Sequence, residues 1–399
     1  MRSMRELFRS DNLVAREVAC EDTSRWVVTF DNYSIGHGFD REGFGEAYLR
    51  SQGISAIHIM GRREDWYQYP EMSDVLTAVR EAISGASRSI TYGSSMGGYA
   101  ALRFADALNV DAALALSPQY SINPAIVPFE KRWLQDAERI VWLPEGEPSL
   151  PARARAIAVY DPASIDKVHV DLIASETDLV KIPVRYSGHP SASMLAEQQM
   201  LSPLLNDVLN GTLDPIEYRR EAKARRKDSV TYLITLSESL ASKRRDIALQ
   251  LAERAIAMQP KHIGALQCLA RAFYLHGRNE EALSTYEEAL DQSNRNVVIA
   301  VPYADLLSEL GQHQSALTLA REITARPETS VMAHIHAWHG FIAQRAGAQA
   351  EAIKAVERAV LLHPTEKKYH KLLSNYRLNR SLIGRLRANL MKFRPRFNR

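Results

Sequence analysis

The residues best suited to chemistry lie in SITYGSSMGGYAALRFADAL (89–108), which holds a serine with glycines on both sides. The string GSSMG (93–97) matches G-x-S-x-G, with an apolar run before it and a helical pattern after it. In that context the motif sets a serine on a sharp strand-to-helix turn, as a nucleophile for acyl transfer. Ser95, unlike Ser94, has glycine both two residues before and two residues after it, so Ser95 is the predicted nucleophile.

Backbone N–H groups must stabilise the oxyanion that forms when the serine attacks a carbonyl group. The helix that follows Ser95 presents its first N–H groups and the positive end of its dipole there, so Met96 is the first predicted donor. The second donor normally comes from the loop after an earlier strand. That strand is RWVVTFDNY (25–33), and we predict the N–H of Asn32 or Tyr33. The loop lacks the HGGG sequence of lipases, which argues against a typical lipase or carboxylesterase.

A serine hydroxyl also needs a base, which a carboxylate orients. In the α/β-hydrolase fold, which carries this motif, the chain order is Ser, then Asp or Glu, then His, so both partners should follow Ser95. His189 in RYSGHPSASML comes after the last predicted strand and before a helical run, and it is the predicted base. His169 lies within the helical pattern DKVHVDLIA, which favours a place on a helix face.

Two aspartates follow the strand pattern ARAIAVY (154–160), where the carboxylate is expected. Asp161 comes directly after the strand and precedes a proline, so it is also typical of a turn. Asp166 lies further on, and it is also typical of the first turn of a helix. Asp178 is only 11 residues before His189, which leaves no room for a helix and a strand between them. The residues alone leave Asp161 and Asp166 open.

Residues 1–212 alternate short apolar runs with helical patterns, which predicts an α/β domain with a doubly wound, mostly parallel sheet of the α/β-hydrolase type. The segment 118–153 is rich in proline and interrupts this alternation. We therefore predict a lid-like insertion there, above the carboxyl edge of the sheet. The predicted strands are 25–33, 54–60, 89–93, 110–117, 154–160 and 179–187.

Several strings in this domain carry a family resemblance. They are FDREGFGEAYL (39–49), DWYQYPEM (65–72), YGSSMGGYAALRF (92–104), ALSPQYSI (115–122) and the pair IDKVH and SGH. The domain resembles bacterial α/β-hydrolase-like proteins that occur with surface-polysaccharide biosynthesis and glycosyltransferase modules, often fused to helical repeats. In such relatives an aspartate with a histidine three residues later stands in the position of Asp166. The resemblance therefore implies Asp166, rather than Asp161, as the acid.

Aromatic residues follow the strand pattern ISAIHIM (54–60) and would lie at the same sheet edge as the serine. We expect Trp66, Tyr67 and Tyr69 to bind the substrate by stacking on a sugar or an acyl chain, although core packing of these rings fits the pattern equally well. Gln119, in ALSPQYSI, is expected to bind the substrate as well.

From about residue 213 the strand patterns end and a helical repeat begins. Ala248, Ala282 and Ala316 recur at 34-residue intervals, and Ala352 follows after 36. A glycine stands five residues before each of the last three alanines. This period and the small residue where two helices touch resemble the tetratricopeptide repeat, which binds partners through stacked helix pairs.

The repeat pattern divides the second half of the chain. We predict a charged linker helix over 213–227, about four repeats over 228–365, and a capping helix with a basic tail over 366–399. Pro302 lies within the first helix of the third unit and Pro327 comes one place early, so a local kink is expected there.

The basic tail is a candidate for an anionic partner or an anionic membrane surface, because no acidic residue follows Glu366. The same composition is equally typical of a solvated terminal helix. The tail contains no recognised nucleic-acid motif, so no nucleic-acid partner is expected.

Composition limits the remaining functions. The chain has 399 residues, 46% of them hydrophobic and 24% charged, which is typical of globular domains. Its two cysteines, Cys20 and Cys268, are too few for a disulfide framework or a four-ligand zinc site, and no phosphate loop is present, so we predict no metal and no cofactor. No apolar run approaches the ~18 residues of a membrane span, and a cytoplasmic location is expected.

These patterns together predict a serine hydrolase or acyltransferase that acts on an ester-linked acyl group, on a saccharide by the family resemblance, through an acyl-serine intermediate. The repeat domain is expected to bind a protein partner. The alternative is a catalytically inactive hydrolase-fold scaffold. The complete order of Ser, Asp and His argues against that alternative, since a decayed site should have lost at least one member.

Overall fold

The computed structural model describes residues 3–36, 38–144 and 146–380, so the predicted tail beyond 380 lies outside the described residues. The chain divides into two compact units, residues 1–236 and 237–399. Across the described part of the chain, no helix is both long and apolar enough to cross a membrane.

One mixed sheet forms the centre of the first unit. Its strands are β1 (Ser3–Arg9), β2 (Leu13–Ala19), β3 (Asp22–Phe30), β4 (Ile54–Gly61), β5 (Arg88–Ser94), β6 (Ala112–Leu116), β7 (Arg155–Tyr160) and β8 (Leu179–Pro183). The strand order is β1-β2-β4-β3-β5-β6-β7-β8. β2 pairs antiparallel with β1 and β4, and all pairs from β4 to β8 are parallel. The parallel part matches the predicted alternation of strands and helices.

The sequence patterns gave no prediction for β1 and β2. β1 is an edge strand that carries several charged side chains, and its Arg5 pairs with Glu17 of β2 at 2.7 Å. Charges on an edge strand hinder pairing with another chain. In β1 they also interrupt the apolar run by which a strand is predicted from sequence. Leu13 and Val14 of β2 are nevertheless fully buried.

Helices cover the sheet and connect its parallel strands. They are α1 (Glu46–Ser51), α2 (Met72–Ala82), α3 (Met96–Arg103), α4 (Ala105–Leu108), α5 (Leu134–Arg139), α6 (Asp166–Glu176), α7 (Ala192–Glu197), α8 (Leu201–Asn210) and α9 (Pro215–Arg225). Among the described residues of the segment 118–153, only α5 is helical. α9 lies within the predicted linker and packs on this unit, since the Tyr218 hydroxyl donates to the Met200 carbonyl at 3.0 Å.

The second half of the chain is a run of helices, and from α11 onward each packs against the next. They are α10 (Val230–Leu240), α11 (Arg245–Met258), α12 (Ile263–Leu275), α13 (Asn279–Gln292), α14 (Val297–Glu309), α15 (His313–Ala325), α16 (Ala333–Arg345), α17 (Gln349–Leu362) and α18 (Lys367–Arg380). The division between the two units falls within α10. The recurring alanines Ala248, Ala282, Ala316 and Ala352 are all buried, as expected for positions where paired helices touch.

The recurring glycines end the first helix of three pairs. Gly277, Gly311 and Gly347 have φ of 73°, 84° and 75°. This left-handed conformation lets the chain turn directly into the next helix, and glycine adopts it without steric cost. The recurrence of glycine after 34 and then 36 residues therefore has a backbone cause.

The kink that the prolines of the third repeat predicted stays a prediction. α14 continues through Pro302, and the carbonyl of Val298, which loses its helical N–H partner there, accepts from Gln267 Nε2 at 3.5 Å. The irregularity lies in the connection 326–332, which is longer than the preceding inter-repeat connection 293–296. This extra length accounts for the interval of 36 residues between Ala316 and Ala352.

Candidate active site

Ser95 lies on a sharp turn between β5, which ends at Ser94, and α3, which begins at Met96. Its backbone has φ 54° and ψ −116°, a conformation that is strained for a residue with a side chain. A Cβ on Gly93 would lie 2.1 Å from the Gly97 carbonyl oxygen. The glycine on that side is therefore required by the close approach of the strand and the helix.

The glycine two residues after Ser95 has a similar cause. A Cβ on Gly97 would lie 2.4 Å from the carbonyl oxygen of Phe30, at the end of β3. The backbone that follows β3 therefore lies directly beside the start of α3. This contact brings together the two chain segments that were predicted to supply oxyanion donors.

Ser95, His189 and Asp166 form one hydrogen-bonded chain. Ser95 Oγ is 2.9 Å from His189 Nε2, and His189 Nδ1 is 2.8 Å from Asp166 Oδ2. With Nδ1 donating to the carboxylate, Nε2 is free to accept the serine proton. The Asp166 side chain is fully buried, whereas that of His189 is 19% exposed. The geometry is that of a nucleophile, a base and a carboxylate that orients the base.

Asp161, the alternative acid, accepts hydrogen bonds from backbone N–H groups rather than from the His189 imidazole. Its Oδ1 accepts from the backbone N of Tyr186 at 3.0 Å, and its Oδ2 accepts from the backbone N of Gly188 at 2.9 Å. It also accepts from the backbone N of Ala163 at 2.8 Å. Asp161 therefore holds the loop that carries His189, while Asp166 contacts the imidazole itself.

Arg132, which no sequence pattern marks, contacts the carboxylate of Asp166. Its Nη1 lies 2.8 Å from Asp166 Oδ1, while its other nitrogens bond to Glu130. Burial alone raises the pKa of the Asp166 carboxyl, but the hydrogen bond from His189 and the charge of Arg132 bring it below its usual value. Both oxygens of the buried carboxylate are thus hydrogen-bonded, which fixes its orientation.

Glu130 extends this network to His169, which the sequence placed on a helix face. His169 lies on the buried face of α6. Its Nε2 donates to Glu130 Oε2 at 2.8 Å and its Nδ1 accepts from the backbone N of Tyr120 at 3.1 Å. Burial raises the pKa of Glu130, but its bonds to His169 and Arg132 lower it to about 2. The histidine three residues after Asp166 therefore anchors the insertion, and its ring nitrogens bond to Tyr120 and Glu130 rather than to Ser95.

Trp133, which no sequence pattern marks either, contacts the ring of His189. Its ring centroid lies 5.4 Å from that of His189 and 5.6 Å from that of Trp66. The guanidinium of Arg132 lies 4.3 Å from the centroid of the same indole. Trp133 and Arg132 come from the insertion, whose lack of periodicity gave no signal beyond its aromatic and charged composition.

The aromatic residues predicted to bind substrate are core residues in this structure, which corrects that expectation. Trp66, Tyr67 and Tyr69 are at most 4% exposed. The Tyr67 hydroxyl donates to the Ile59 carbonyl at 3.0 Å, and the Tyr69 hydroxyl donates to the Arg63 carbonyl at 2.8 Å. Neither tyrosine ring offers a face to a ligand. A position at the sheet edge does not decide whether a ring points outward or into the core.

Gln119 lies beside the nucleophile. Its Nε2 donates to Ser95 Oγ at 3.3 Å and to the Ser117 carbonyl at 3.1 Å. Its Oε1 is buried and has no hydrogen-bond partner among the described residues. The amide is therefore positioned to contact a group that approaches Ser95.

The predicted oxyanion donors remain predictions. Met96 is the first residue of α3, so its N–H has no partner within the helix. Asn32 and Tyr33 follow β3, and the Tyr33 hydroxyl donates to Asp136 at 3.1 Å. Within the described residues, no group of three His, Cys, Asp or Glu side chains could hold a metal ion.

Comparisons with known proteins concern the repeats. The family model described as tetratricopeptide repeat matches residues 273–338. A comparison with curated proteins gave no match. The second half of the chain therefore contains a tetratricopeptide-repeat region, a fold that commonly binds protein partners.

Solved structures that are similar to this chain include three proteins with low identity. MamA from Desulfovibrio magneticus RS-1 is 16% identical over 41% of this chain and 92% of its own, with a TM-score of 0.33. A thermophilic TPR protein of Thermus thermophilus is 17% identical over 46% of this chain and 99% of its own, with a TM-score of 0.35. The protein pilF of Pseudomonas aeruginosa is 17% identical over 42% of this chain and 78% of its own, with a TM-score of 0.34.

Proposed function

We propose that the first unit is an α/β-hydrolase-type serine hydrolase or acyltransferase that acts on an ester-linked acyl group. The observation that carries this proposal is the chain of hydrogen bonds from Ser95 through His189 to Asp166, with distances of 2.9 Å and 2.8 Å. The strained turn at Ser95 and the order of the three residues along the chain add support, because both are features of this class of enzyme.

In the first half of the reaction, Ser95 Oγ attacks the ester carbonyl carbon while His189 Nε2 takes the hydroxyl proton. The carbonyl oxygen becomes an oxyanion, which the N–H of Met96 and an N–H of Asn32 or Tyr33 would stabilise. When the tetrahedral intermediate collapses, the bond to the leaving oxygen breaks and His189 returns the proton to that oxygen. The products are a free alcohol and an acyl-Ser95 ester.

In the second half, His189 removes a proton from water or from an acceptor alcohol, whose oxygen attacks the acyl-Ser95 carbonyl. Collapse of the second intermediate releases the carboxylic acid or the new ester, and Ser95 recovers its proton from His189. Asp166 stays ionised throughout, and it stabilises the imidazolium that forms in each half.

Arg132 is proposed as a positioning residue. It touches neither Ser95 nor His189 by hydrogen bond, and it acts through Asp166 Oδ1 at 2.8 Å. Because Arg132 belongs to the insertion 118–153, the segment above the sheet fixes the orientation of the acid. The insertion is thus proposed to complete the site, as a lid would.

A saccharide as carrier of the acyl group is proposed from the family resemblance alone. The buried positions of Tyr67 and Tyr69 withdraw the aromatic support that the sequence suggested for it. The partner of the tetratricopeptide repeats is proposed to be a protein, since such repeats present a surface for extended partners.

Turnover of p-nitrophenyl esters by the full chain tests the proposal. We expect measurable hydrolysis that Ser95→Ala removes and that Ser94→Ala retains. Ser94 is the matched control, because it is adjacent, equally small and buried, with no hydrogen-bond partner for its Oγ among the described residues. Equal activity in the wild-type chain and in Ser95→Ala would refute the proposal.

A further inference from the structure

A cavity lies outside the hydrogen-bonded chain of Ser95, on the face that α9 contributes to the first unit. It is a groove of 670 Å³, within the range of small-molecule sites. Five basic side chains line it, and the described lining residues include no aspartate or glutamate. These basic residues are Arg185, Arg219, Arg220, Lys223 and Arg226.

The geometry of α9 concentrates these charges. Asp214 caps the helix by accepting from the backbone N of Ile216 and Glu217, and positions 216, 219, 220, 223 and 226 then recur with the helical period on one face. The acidic residues Glu217 and Glu221 fall outside that face. They pair with Arg220 and Arg225, at 2.6 Å and 2.5 Å.

Four of the lining cations have no carboxylate partner among the described residues. Arg185, Arg219 and Lys223 make no ion pair there, and neither does Arg226. The guanidinium groups of Arg185 and Arg226 instead lie 5.0 Å and 5.8 Å from aromatic ring centroids. Like charges around one concave surface repel each other, and the surface attracts an anion that enters it.

The groove also has apolar walls. Val184 and Met194 line it from the first unit's loop and α7, and Ile216 lines it from α9. Ile216 is 77% exposed, so its side chain is accessible to a ligand in the groove. A ligand that fills the groove would therefore contact cations and apolar side chains together.

The loops that form the groove also carry the acid and the base. Pro162 and Arg185 line it, and each lies four residues before Asp166 or His189. A four-residue segment spans at most about 14 Å. Asp161 holds both loops through its bonds to Tyr186 and Gly188. The groove is thus a neighbour of the candidate active site.

We propose that this groove binds an organic phosphate, a ligand with phosphate oxygens and an apolar portion. Arg219 and Lys223 contact the phosphate, since guanidinium and ammonium groups are the preferred partners of phosphate oxygens. Ile216 and Met194 contact the apolar portion. This binding is independent of the proposed acyl chemistry at Ser95.

Calorimetric titration of the full chain tests this proposal with three probes, namely ADP, inorganic pyrophosphate and adenosine. We expect ADP to bind more tightly than pyrophosphate, and adenosine to bind at least tenfold more weakly than ADP. The variant Arg219→Gln/Lys223→Gln should weaken ADP binding at least tenfold. Both side chains are exposed, so the fold should tolerate the change.

The matched control is Arg62→Gln/Arg63→Gln, which removes two exposed charges from the same unit outside the groove. It should bind ADP as the wild-type chain does. Absence of ADP binding at about 1 mM, which is a free energy of only about −4 kcal/mol, would overturn the proposal. An equal loss in the control variant would also overturn it, because general surface charge would then explain the binding.

Discussion

Arg132 Nη1 lies 2.8 Å from Asp166 Oδ1, on the carboxylate oxygen opposite the one that accepts from His189. A cation from the insertion and an imidazole from the last loop therefore hold one buried carboxylate from both sides. This arrangement ties the orientation of the base to the insertion.

Loss of the Arg132 contact should slow turnover. A hydrogen bond between charged groups contributes about 1.5–3 kcal/mol, so Arg132→Gln should lower kcat by roughly ten- to hundredfold. Arg132→Lys should retain part of the kcat that Arg132→Gln loses. Ester hydrolysis under substrate saturation measures the effect, and unchanged kcat in Arg132→Gln would contradict the positioning role.

The same variant should change the pH dependence of turnover. Arg132 helps to keep the pKa of Asp166 below its usual value. Without that cation the pKa rises, so the carboxylate is lost at a higher pH as the solution is acidified. The acidic limb of the kcat profile should therefore move to higher pH in Arg132→Gln. A shift to lower pH would contradict this account, whereas a purely structural role for Arg132 predicts no shift.

The two aspartates after β7 should respond differently to the same change. Asp166→Asn should lower kcat by roughly 10⁴-fold, as loss of the orienting carboxylate does in a Ser-His-Asp triad. Asp161→Asn should mainly lower the free energy of unfolding, because Asp161 accepts from three backbone N–H groups. Urea unfolding measured beside kcat separates the two effects. A larger loss of kcat in Asp161→Asn at equal stability would reverse the assignment.

Gly97→Ala should be strongly destabilising, because the new Cβ would lie 2.4 Å from the backbone oxygen of Phe30. Neither strand nor helix can move away without disturbing Ser95, so we expect a loss of at least about 3 kcal/mol in the free energy of unfolding. Gly85→Ala is the control, since nothing lies within 4 Å of its Cβ position. Equal stability of the two variants would show that the turn is not close-packed.

The residues that the site needs all lie in the first unit, so a chain that ends at residue 236 should retain turnover of small esters. A chain that ends at 212 should lose stability, because it lacks Tyr218, which bonds to Met200, and Thr231, which bonds to Glu197 at 2.7 Å. Thermal unfolding and ester hydrolysis of both chains check this. An inactive but folded 1–236 chain would contradict the assignment.

The sequence predicted the parts of the structure that local pattern determines. Gly93 is required by the turn at Ser95 itself, and the order of Asp166 and His189 along the chain follows the parallel strands that precede them. The alanines and glycines of the repeats are equally local. Spacing alone predicts Ser95 and His189, whereas it leaves Asp161 and Asp166 open, and the family resemblance favours Asp166. The structure brings Ser95, His189 and Asp166 within hydrogen-bond distance.

The rest depends on contacts between distant segments. Arg132 and Trp133 belong to an insertion without periodicity. They contact Asp166 and His189 only in the folded chain, so the sequence pattern does not show their roles. His169 lies on a helical pattern, which gives no sign of its buried bond to Glu130. The charged residues of β1 interrupt the apolar pattern that would predict a strand there. Spacing along the chain does not contain this information.

The central claim is that Ser95 is an activated nucleophile. Labelling of the full chain with a fluorophosphonate probe, followed by mass mapping of the labelled peptide, tests this claim directly. We predict that the label lies on Ser95 and that Ser95→Ala and His189→Ala abolish it, while Ser94→Ala retains it. A folded wild-type chain that takes up no label, or a label that persists in Ser95→Ala, would contradict the account.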